Sequence, residues 1–177
     1  TWAEPMSPHT DTSEKGLETL IVMALTGQAP PPPATGDGAA ERPAVYGAGW
    51  LLGDASEYDR EYCLDLFQLR AFVLATQPKA AEALELDKDG PVRRKLLARI
   101  QGEVSRRGVL DVLRHGVKHG PVSLDLFYGS PSPGNVAAAE RFRKNRFSVT
   151  RQLRYSRDET QLALDLGLFV NGLPIAT

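Results

Sequence analysis

The sequence contains little of several things that identify particular protein classes. A single cysteine, Cys63, excludes an internal disulfide and is typical of a reducing compartment. Its place in an apolar run favours a buried structural thiol. No apolar run approaches the roughly 18 residues that a membrane-spanning helix needs, and the first residues lack the basic-then-apolar pattern of a secretory signal. These absences predict a cytoplasmic protein that does not enter a membrane.

Charge and phosphate-binding motifs are equally sparse. The 21 Lys and Arg residues are balanced by 22 Asp and Glu residues, so net charge indicates no partner. No G-x-x-x-x-G-K-[ST] loop occurs, so ATP binding by a phosphate loop is not predicted for this chain. His115 and His119 are four residues apart, but Gly116 lies between them and no third ligand is near, which favours chance spacing over a metal site.

Apolar periodicity divides the chain into a helical first part and a strand-rich last part. Residues 1–12 are predicted to form a flexible lead-in and residues 28–43 a mobile loop, because prolines and glycines prevent regular structure there. Helices are predicted over residues 13–25, 60–76, 80–86, 92–107, 110–114 and 136–145. Strands are predicted over residues 122–128, 147–156 and 162–170, and Asn171-Gly172 predicts a hairpin into another strand that is cut off at Thr177. The fold class is therefore α/β or α+β.

The same periodicity predicts which side chains face the core. In the first helix these are Leu17, Leu20, Ile21, Ala24 and Leu25. In the second helix they are Leu64, Phe67, Ala71, Phe72 and Ala75. In the last long strand they are the even-numbered residues from Leu162 to Val170.

One aspartate is distinguished by its neighbours. Leu-Asp-Leu occurs three times, around Asp65, Asp125 and Asp165, so the triplet alone selects none of them. Asp65 is predicted to lie on a helix facing solvent, and Asp125 on a half-exposed strand. Asp165 has only Ala163 and Gly167 beside it on its strand face, and such small residues leave room for a metal ion and a phosphate backbone. The alternative is an ordinary exposed strand acid.

Basic residues are concentrated just before this strand. Between Glu140 and Tyr155 they are Arg141, Arg143, Lys144, Arg146, Arg151 and Arg154. Because Arg and Lys make most phosphate contacts, we expect Arg141, Arg146, Arg151 and Arg154 to lie along a DNA backbone. The alternative is that they keep the surface soluble and pair with carboxylates elsewhere.

These segments resemble a known family. RQLRYS followed by LDLGLFVNGLPIAT resembles the N-terminal nuclease region of the R subunits of type I restriction enzymes, the motor-and-cleavage subunits. SEKGLETLIV, FVLATQP, GVLDVLRHGVK and NRFSVTRQ resemble it as well, so the resemblance spans nearly the whole chain after residue 12.

The resemblance implies a PD-(D/E)xK nuclease core, a mixed sheet flanked by helices. It gives Asp165 the role of the strand aspartate and assigns the helix glutamate to Glu14 or Glu18. Helix geometry favours Glu14, since the apolar side is centred about 60° from it and about 100° from Glu18. Asp165 and the helix glutamate would hold Mg²⁺, and the Glu-x-Lys of the family would begin just beyond Thr177. A chain without that motif is predicted to bind metal weakly and to be inactive.

The activity implied for the parent protein is Mg²⁺-dependent cleavage of unmodified double-stranded DNA. It would be coupled to ATP-driven translocation by motor domains absent from this chain, in a complex with methyltransferase and specificity subunits. Residues 13–177 would be part of the endonuclease domain, with residues 60–118 a helical insertion that nuclease chemistry does not explain. Two alternatives remain: a DNA-binding module without hydrolysis, and a module that docks the motor onto its partners through residues 60–118.

Overall fold

The computed structural model describes residues 14–27, 49–156 and 162–177. The predicted lead-in and the predicted proline-rich loop lie outside these ranges. The helices are α1 (Glu14–Thr26), α2 (Leu66–Thr76), α3 (Pro78–Ala83), α4 (Pro91–Arg107), α5 (Val109–His115) and α6 (Val136–Arg143). The strands are β1 (Leu51–Leu52), β2 (Tyr58–Asp59), β3 (Leu64–Asp65), β4 (Val117–His119), β5 (Val122–Leu124), β6 (Phe147–Arg154), β7 (Ala163–Val170) and β8 (Leu173–Ala176).

The chain divides into two compact units, residues 1–49 with α1 and residues 50–177 with all other elements. In the second unit, four strands form a mixed sheet in the order β1-β6-β7-β8. Strand β1 is parallel to β6, while β6–β7 and β7–β8 are antiparallel. The predicted α+β class with a mixed sheet and flanking helices is therefore confirmed, and it is consistent with a nuclease-like core. Within the described ranges, no helix has the length and apolar character to cross a membrane.

The predicted helical insertion supplies most of the hydrophobic core of the second unit. Buried apolar residues from α2, α3, α4 and α5 form one cluster with Leu124, Leu126, Val170 and Leu173. The last two of these residues lie at the turn between β7 and β8. Residues 60–118 are thus packed into the core beside the sheet, because the end of the hairpin buries its apolar side chains against them.

Helix α2 begins six residues later than predicted, because Asp65 caps its N-terminus. The Asp65 carboxylate accepts a hydrogen bond from the backbone N–H of Gln68 at 3.0 Å. Before it, β2 and β3 form a short antiparallel pair joined by a turn. The predictions for three residues here were wrong. Cys63, in that turn with a φ of 56°, and Phe67 are exposed, whereas Asp65 is buried at the helix N-terminus.

The buried face of α1 also differs from the prediction. Leu17, Leu20 and Ile21 are 59%, 48% and 37% exposed, whereas Glu18 and Val22 are buried. The helical period determines which residues share a face. It does not determine which face is covered, because that depends on contacts outside the helix.

Side-chain amides replace strand pairing in the segment after β5. The strand predicted over residues 122–128 pairs with β4 only as far as Leu124. Beyond it, Gln77 donates to the Asp125 carbonyl at 2.8 Å and accepts from its N–H at 2.9 Å. The Asn145 side chain likewise donates to the Tyr128 carbonyl at 2.7 Å and accepts from the Tyr128 N–H at 3.1 Å. The segment stays extended because these amides satisfy its backbone groups.

The Asn171-Gly172 turn is the predicted hairpin turn, but it is buried. Asn171 and Gly172 have φ values of 50° and 84°, the left-handed backbone of a two-residue hairpin. The Asn171 amide donates to the Leu126 carbonyl at 2.8 Å and to Asn145 Oδ1 at 3.0 Å, and it accepts from the Arg146 N–H at 2.7 Å. The Gly172 carbonyl accepts from the Asp65 N–H at 2.9 Å. The turn therefore joins the sheet to the start of α2.

Replacing Gly172 with alanine should destabilise the second unit strongly. A Cβ there would lie 2.4 Å from the Asp65 carbonyl oxygen and 2.7 Å from the Leu69 nitrogen, both backbone atoms. We expect a loss of about 3 kcal/mol in the free energy of unfolding, from left-handed strain plus overpacking. Urea denaturation measures it.

Gly134→Ala is the matched control, because its φ of 83° is nearly the same and nothing lies within 4 Å of the added Cβ. It should lose only about 1 kcal/mol. Equal losses for the two variants would show that the close packing of the turn contributes nothing.

Candidate functional site

Asp165 lies exposed on β7, directly opposite Gln152 on β6. The register pairs Arg151 with Leu166 and Leu153 with Leu164, which leaves Gln152 and Asp165 facing each other. Gln152 Nε2 donates to Asp165 Oδ1 at 3.4 Å. Among the described residues, no hydrogen bond involves Asp165 Oδ2, and the side chain as a whole is exposed.

Gln152 has a left-handed backbone in the middle of a regular strand. Its φ is 49°, whereas strand residues ordinarily have φ near −120°. The next residue, Leu153, is buried, and Gln152 and Arg154 on either side of it are exposed. A left-handed residue that is not glycine is held only where its surroundings stabilise it, and such residues are concentrated at functional sites.

Gly167 is small for a reason different from the one predicted. A Cβ at this position would lie 2.9 Å from Leu153 Cδ2 and 3.0 Å from the Phe169 ring. Those two side chains fill the space that the sequence suggested would receive a ligand. The prediction for the strand faces was wrong for the same reason: Phe169 is fully buried, while Leu164, Leu166 and Leu168 are only half-buried.

The chemistry of Asp165 suits a hydrated Mg²⁺. This ion prefers carboxylate oxygens, keeps several waters and needs only one or two carboxylates from a protein. An exposed carboxylate with one oxygen held by an amide meets that requirement. The described ranges contain no group of three or more His, Cys, Asp or Glu side chains arranged to hold a metal. His115 Nδ1 lies 2.9 Å from an Asp111 carboxylate oxygen.

The two candidate helix glutamates belong to the first unit. Glu18 is buried on the same side of α1 as Val22, and it has polar interactions of its own. The helical-wheel reason for preferring Glu14 was wrong, because the apolar side on which it relied is exposed. The side chain of Glu14 lies outside the described part of the structure.

The four predicted DNA-contacting arginines occupy different places. Arg154 pairs in register with Ala163 and is exposed, and Arg151 pairs with Leu166, so both lie close to Asp165 along the sheet. Arg141 is exposed on α6.

Arg146 lies at the other end of β6, about 20 Å from Asp165 at the usual rise of a strand. Its guanidinium donates to Gln68 Oε1 at 2.7 Å. The structure therefore gives Arg146 a packing partner instead of a place beside Asp165.

Most basic residues of α4 pair with acids of the same protein. Arg93 and Arg94 lie 2.9 and 3.3 Å from Asp89. Glu103, which is only 5% exposed, accepts from Arg106 at 2.6 Å and from Arg107 at 2.7 Å. These hydrogen bonds lower the pKa of Glu103. The basic residues of α4 are therefore engaged mainly in ion pairs at the protein's own surface.

Sequence reasoning missed a second acidic site, around Asp65. A cavity of about 220 Å³ is lined by Leu52, Asp54, Glu57, Asp65, Phe67 and Gln68. Asp65 is only 2% exposed, and burial raises its pKa to about 6 although the N–H of Gln68 opposes the shift. Glu57 raises it further, and Arg146 lowers it. An Asp three residues before a Gln at the start of an apolar run is a capping signal, so the sequence could have predicted Asp65 as the N-cap of α2.

Neutralising Asp65 should abolish one component of the pH dependence of stability. The folded-state pKa of about 6 lies above the ordinary 3.8, so the folded protein holds a proton that the unfolded chain releases between those values. This stabilisation is fully present below about pH 4 and is lost as the pH rises through about 6. Asn at position 65 can still cap α2. We therefore expect the free energy of unfolding of Asp65→Asn, relative to that of the wild type, to rise by roughly 2 kcal/mol from about pH 4.5 to about pH 7.5.

Urea denaturation at the two pH values measures this difference. Asp54→Asn is the control, because the backbone hydrogen bond from Ser56 lowers the pKa of exposed Asp54, and its effect has the opposite sign. A difference between Asp65→Asn and wild type that does not change with pH would contradict the prediction.

Comparison with known proteins relates the last part of the chain to a family. The family model of the type I restriction enzyme R protein N terminus matches residues 129–177. Searches of the curated proteins and of the solved structures found no significant match. The matched segment contains α6, β6, β7, β8 and Asp165, while the resemblance of earlier segments stays a prediction. Residues 129–177 thus match the N terminus of type I restriction enzyme R proteins, the family that the sequence resembles.

Proposed function

We propose that this chain is the N-terminal endonuclease portion of a type I restriction enzyme R subunit, and that Asp165 is its strand metal ligand. The observation that supports the proposal is the placement of Asp165 within the matched segment: an exposed carboxylate, oriented by an amide, with Arg151 and Arg154 close by on the neighbouring strand.

The register of β7 and β8 supports the same assignment. Leu168 pairs with Ala176. Asp165 lies three residues before Leu168 in β7. The corresponding position three residues after Ala176 is the second position beyond Thr177. A strand that continued in this register would therefore place its next residues across from Asp165. That is where the Glu-x-Lys implied by the resemblance would supply the remaining groups.

The proposed roles rest on these positions and, for the helix glutamate, on the family resemblance alone. Asp165 and the helix glutamate, Glu14 or Glu18, would hold Mg²⁺, which when bound polarises a phosphate and acidifies a water. Arg151 and Arg154 would contact phosphates of the DNA backbone. Gly167, two residues after Asp165, leaves room for the side chains of Leu153 and Phe169.

ATP use, translocation and the partner subunits belong to the proposed parent protein. It would cleave unmodified double-stranded DNA after ATP-driven translocation, together with methyltransferase and specificity subunits. A DNA-binding module without hydrolysis is the main alternative, and the role of Asp165 distinguishes the two functions.

Substituting Asp165 should abolish binding of divalent metal to the sheet. In the wild-type chain, Mn²⁺ should broaden the amide NMR signals of residues 151–152 and 164–166, because the ion binds at the exposed oxygen of Asp165. Asp165→Asn should abolish this broadening, since an amide is a much weaker ligand for such ions. Asp125→Asn is the matched control, because it changes an exposed Leu-Asp-Leu aspartate elsewhere.

The same pair of variants tests catalysis in a chain that continues through the next strand. With Mg²⁺, that longer chain and its Asp125→Asn variant should nick supercoiled DNA, while its Asp165→Asn variant should not. Nicking that persists without Asp165, or nicking by the 177-residue chain itself, would refute the proposed metal site.

Removing Arg154 should weaken binding of the chain to double-stranded DNA at all sequences equally. Each lost phosphate contact lowers the slope of log K against log salt concentration by about 1. Arg154→Ala should therefore show a smaller slope in a fluorescence-anisotropy titration, and Arg114→Ala, an exposed arginine on α5, should not. Identical slopes for Arg154→Ala and wild type would remove Arg154 from the DNA surface.

A further inference from the structure

Gln152 combines three properties that a strand residue without a role would not need. It lies opposite Asp165 in the register, its amide donates to one oxygen of that carboxylate, and its backbone is left-handed. The left-handed region costs a residue with a Cβ about 1–2 kcal/mol. Asparagine or glycine would adopt this conformation with less strain, so the choice of glutamine suggests that its longer amide side chain is needed.

We propose that Gln152 is a positioning residue for Asp165, whose side-chain amide holds Oδ1 so that Oδ2 is presented to a divalent cation. This inference rests on the proposed function, because it gives Gln152 a task only if Asp165 binds metal. It concerns residues of this chain alone and assigns Gln152 no contact with the metal or with DNA.

The physical basis is the freedom of an exposed aspartate. Without a partner, the Asp165 carboxylate would rotate among several orientations in water, and binding a cation would require fixing one of them. A donor on the facing strand fixes the carboxylate in advance. Partners of this kind, which orient a metal ligand through a hydrogen bond, typically contribute 10–100-fold to metal affinity.

The backbone at Gln152 contributes through packing. Gly167 pairs with Thr150 in the register, and Leu153 also packs against Gly167 and Phe169. Thr150 and Leu153 therefore share a face, whereas regular alternation would place residues three apart on opposite faces. The left-handed residue breaks the strand alternation at this point, which lets Leu153 pack inward while the amide of Gln152 reaches Asp165. Glycine at position 152 is compatible with this backbone and removes the side chain together with its amide.

The test is Mn²⁺ binding to the intact 177-residue chain, followed by NMR line broadening near Asp165. Gln152→Gly should weaken Mn²⁺ binding about tenfold while keeping or raising stability toward urea. Gln152→Asn keeps an amide on a shorter side chain, so its Mn²⁺ affinity should lie between those of the wild type and Gln152→Gly. Glu85→Gly is the control, since Glu85 has a φ of 48° and lies outside the sheet; it should gain stability without changing Mn²⁺ binding.

A second readout reports the hydrogen bond directly. The side-chain amide protons of Gln152 should exchange with water faster in Asp165→Ala than in wild type, because their acceptor is gone. This readout tests the hydrogen bond itself, and the Mn²⁺ titration tests its effect on metal binding.

The outcomes separate the two proposals. Wild-type Mn²⁺ binding that Gln152→Gly leaves unchanged would overturn the role of Gln152 and leave the metal role of Asp165 intact. No Mn²⁺ binding near Asp165 in the wild type would overturn both. Tenfold weaker binding in Gln152→Gly, with Glu85→Gly unchanged, supports both.

Discussion

The hydrogen-bonded pair of Asn145 and Asn171 is the interaction on which the second unit depends. Asn171 connects the β7–β8 turn to Leu126 and to the start of β6, and Asn145 connects the same place to Tyr128. Both side chains satisfy backbone groups that no strand pairs. Because unpaired buried backbone groups are costly, the sheet and the helices cannot separate here without losing several hydrogen bonds together.

This arrangement explains why the helices between β1 and β6 share a core with the sheet. The β7–β8 turn lies against the first residues of α2, and Val170 and Leu173 enter the helical core from it. The buried carboxylate of Asp65 caps α2 at the same place, and its burial raises its pKa. The candidate metal ligand Asp165 lies toward the opposite end of β7, so the residues that secure the fold and the residues proposed to act on DNA occupy different ends of one strand.

The sequence predicted the elements whose signal is local. The helices after residue 78, the long strands and the Asn171-Gly172 hairpin follow from apolar periodicity and turn chemistry, and the structure has all of them. The sequence also singled out Asp165, and the family match of residues 129–177 includes it. The predictions from the sequence failed where a residue's environment depends on segments far away in the chain. Cys63 and Phe67 are exposed, Asp65 is buried, and Gly167 makes room for Leu153 instead of a ligand.

By itself, then, the sequence determined the order of helices and strands, the α+β class and the strand that carries the candidate acid, because periods of 3.6 and 2 residues and an Asn-Gly turn act over a few neighbouring residues. Only the tertiary structure decided that Gln152 faces Asp165, that Arg146 is used in packing, and which side of α1 is buried. These three features depend on strand register and on burial. Both involve residues far apart in the chain, so local periodicity does not predict them.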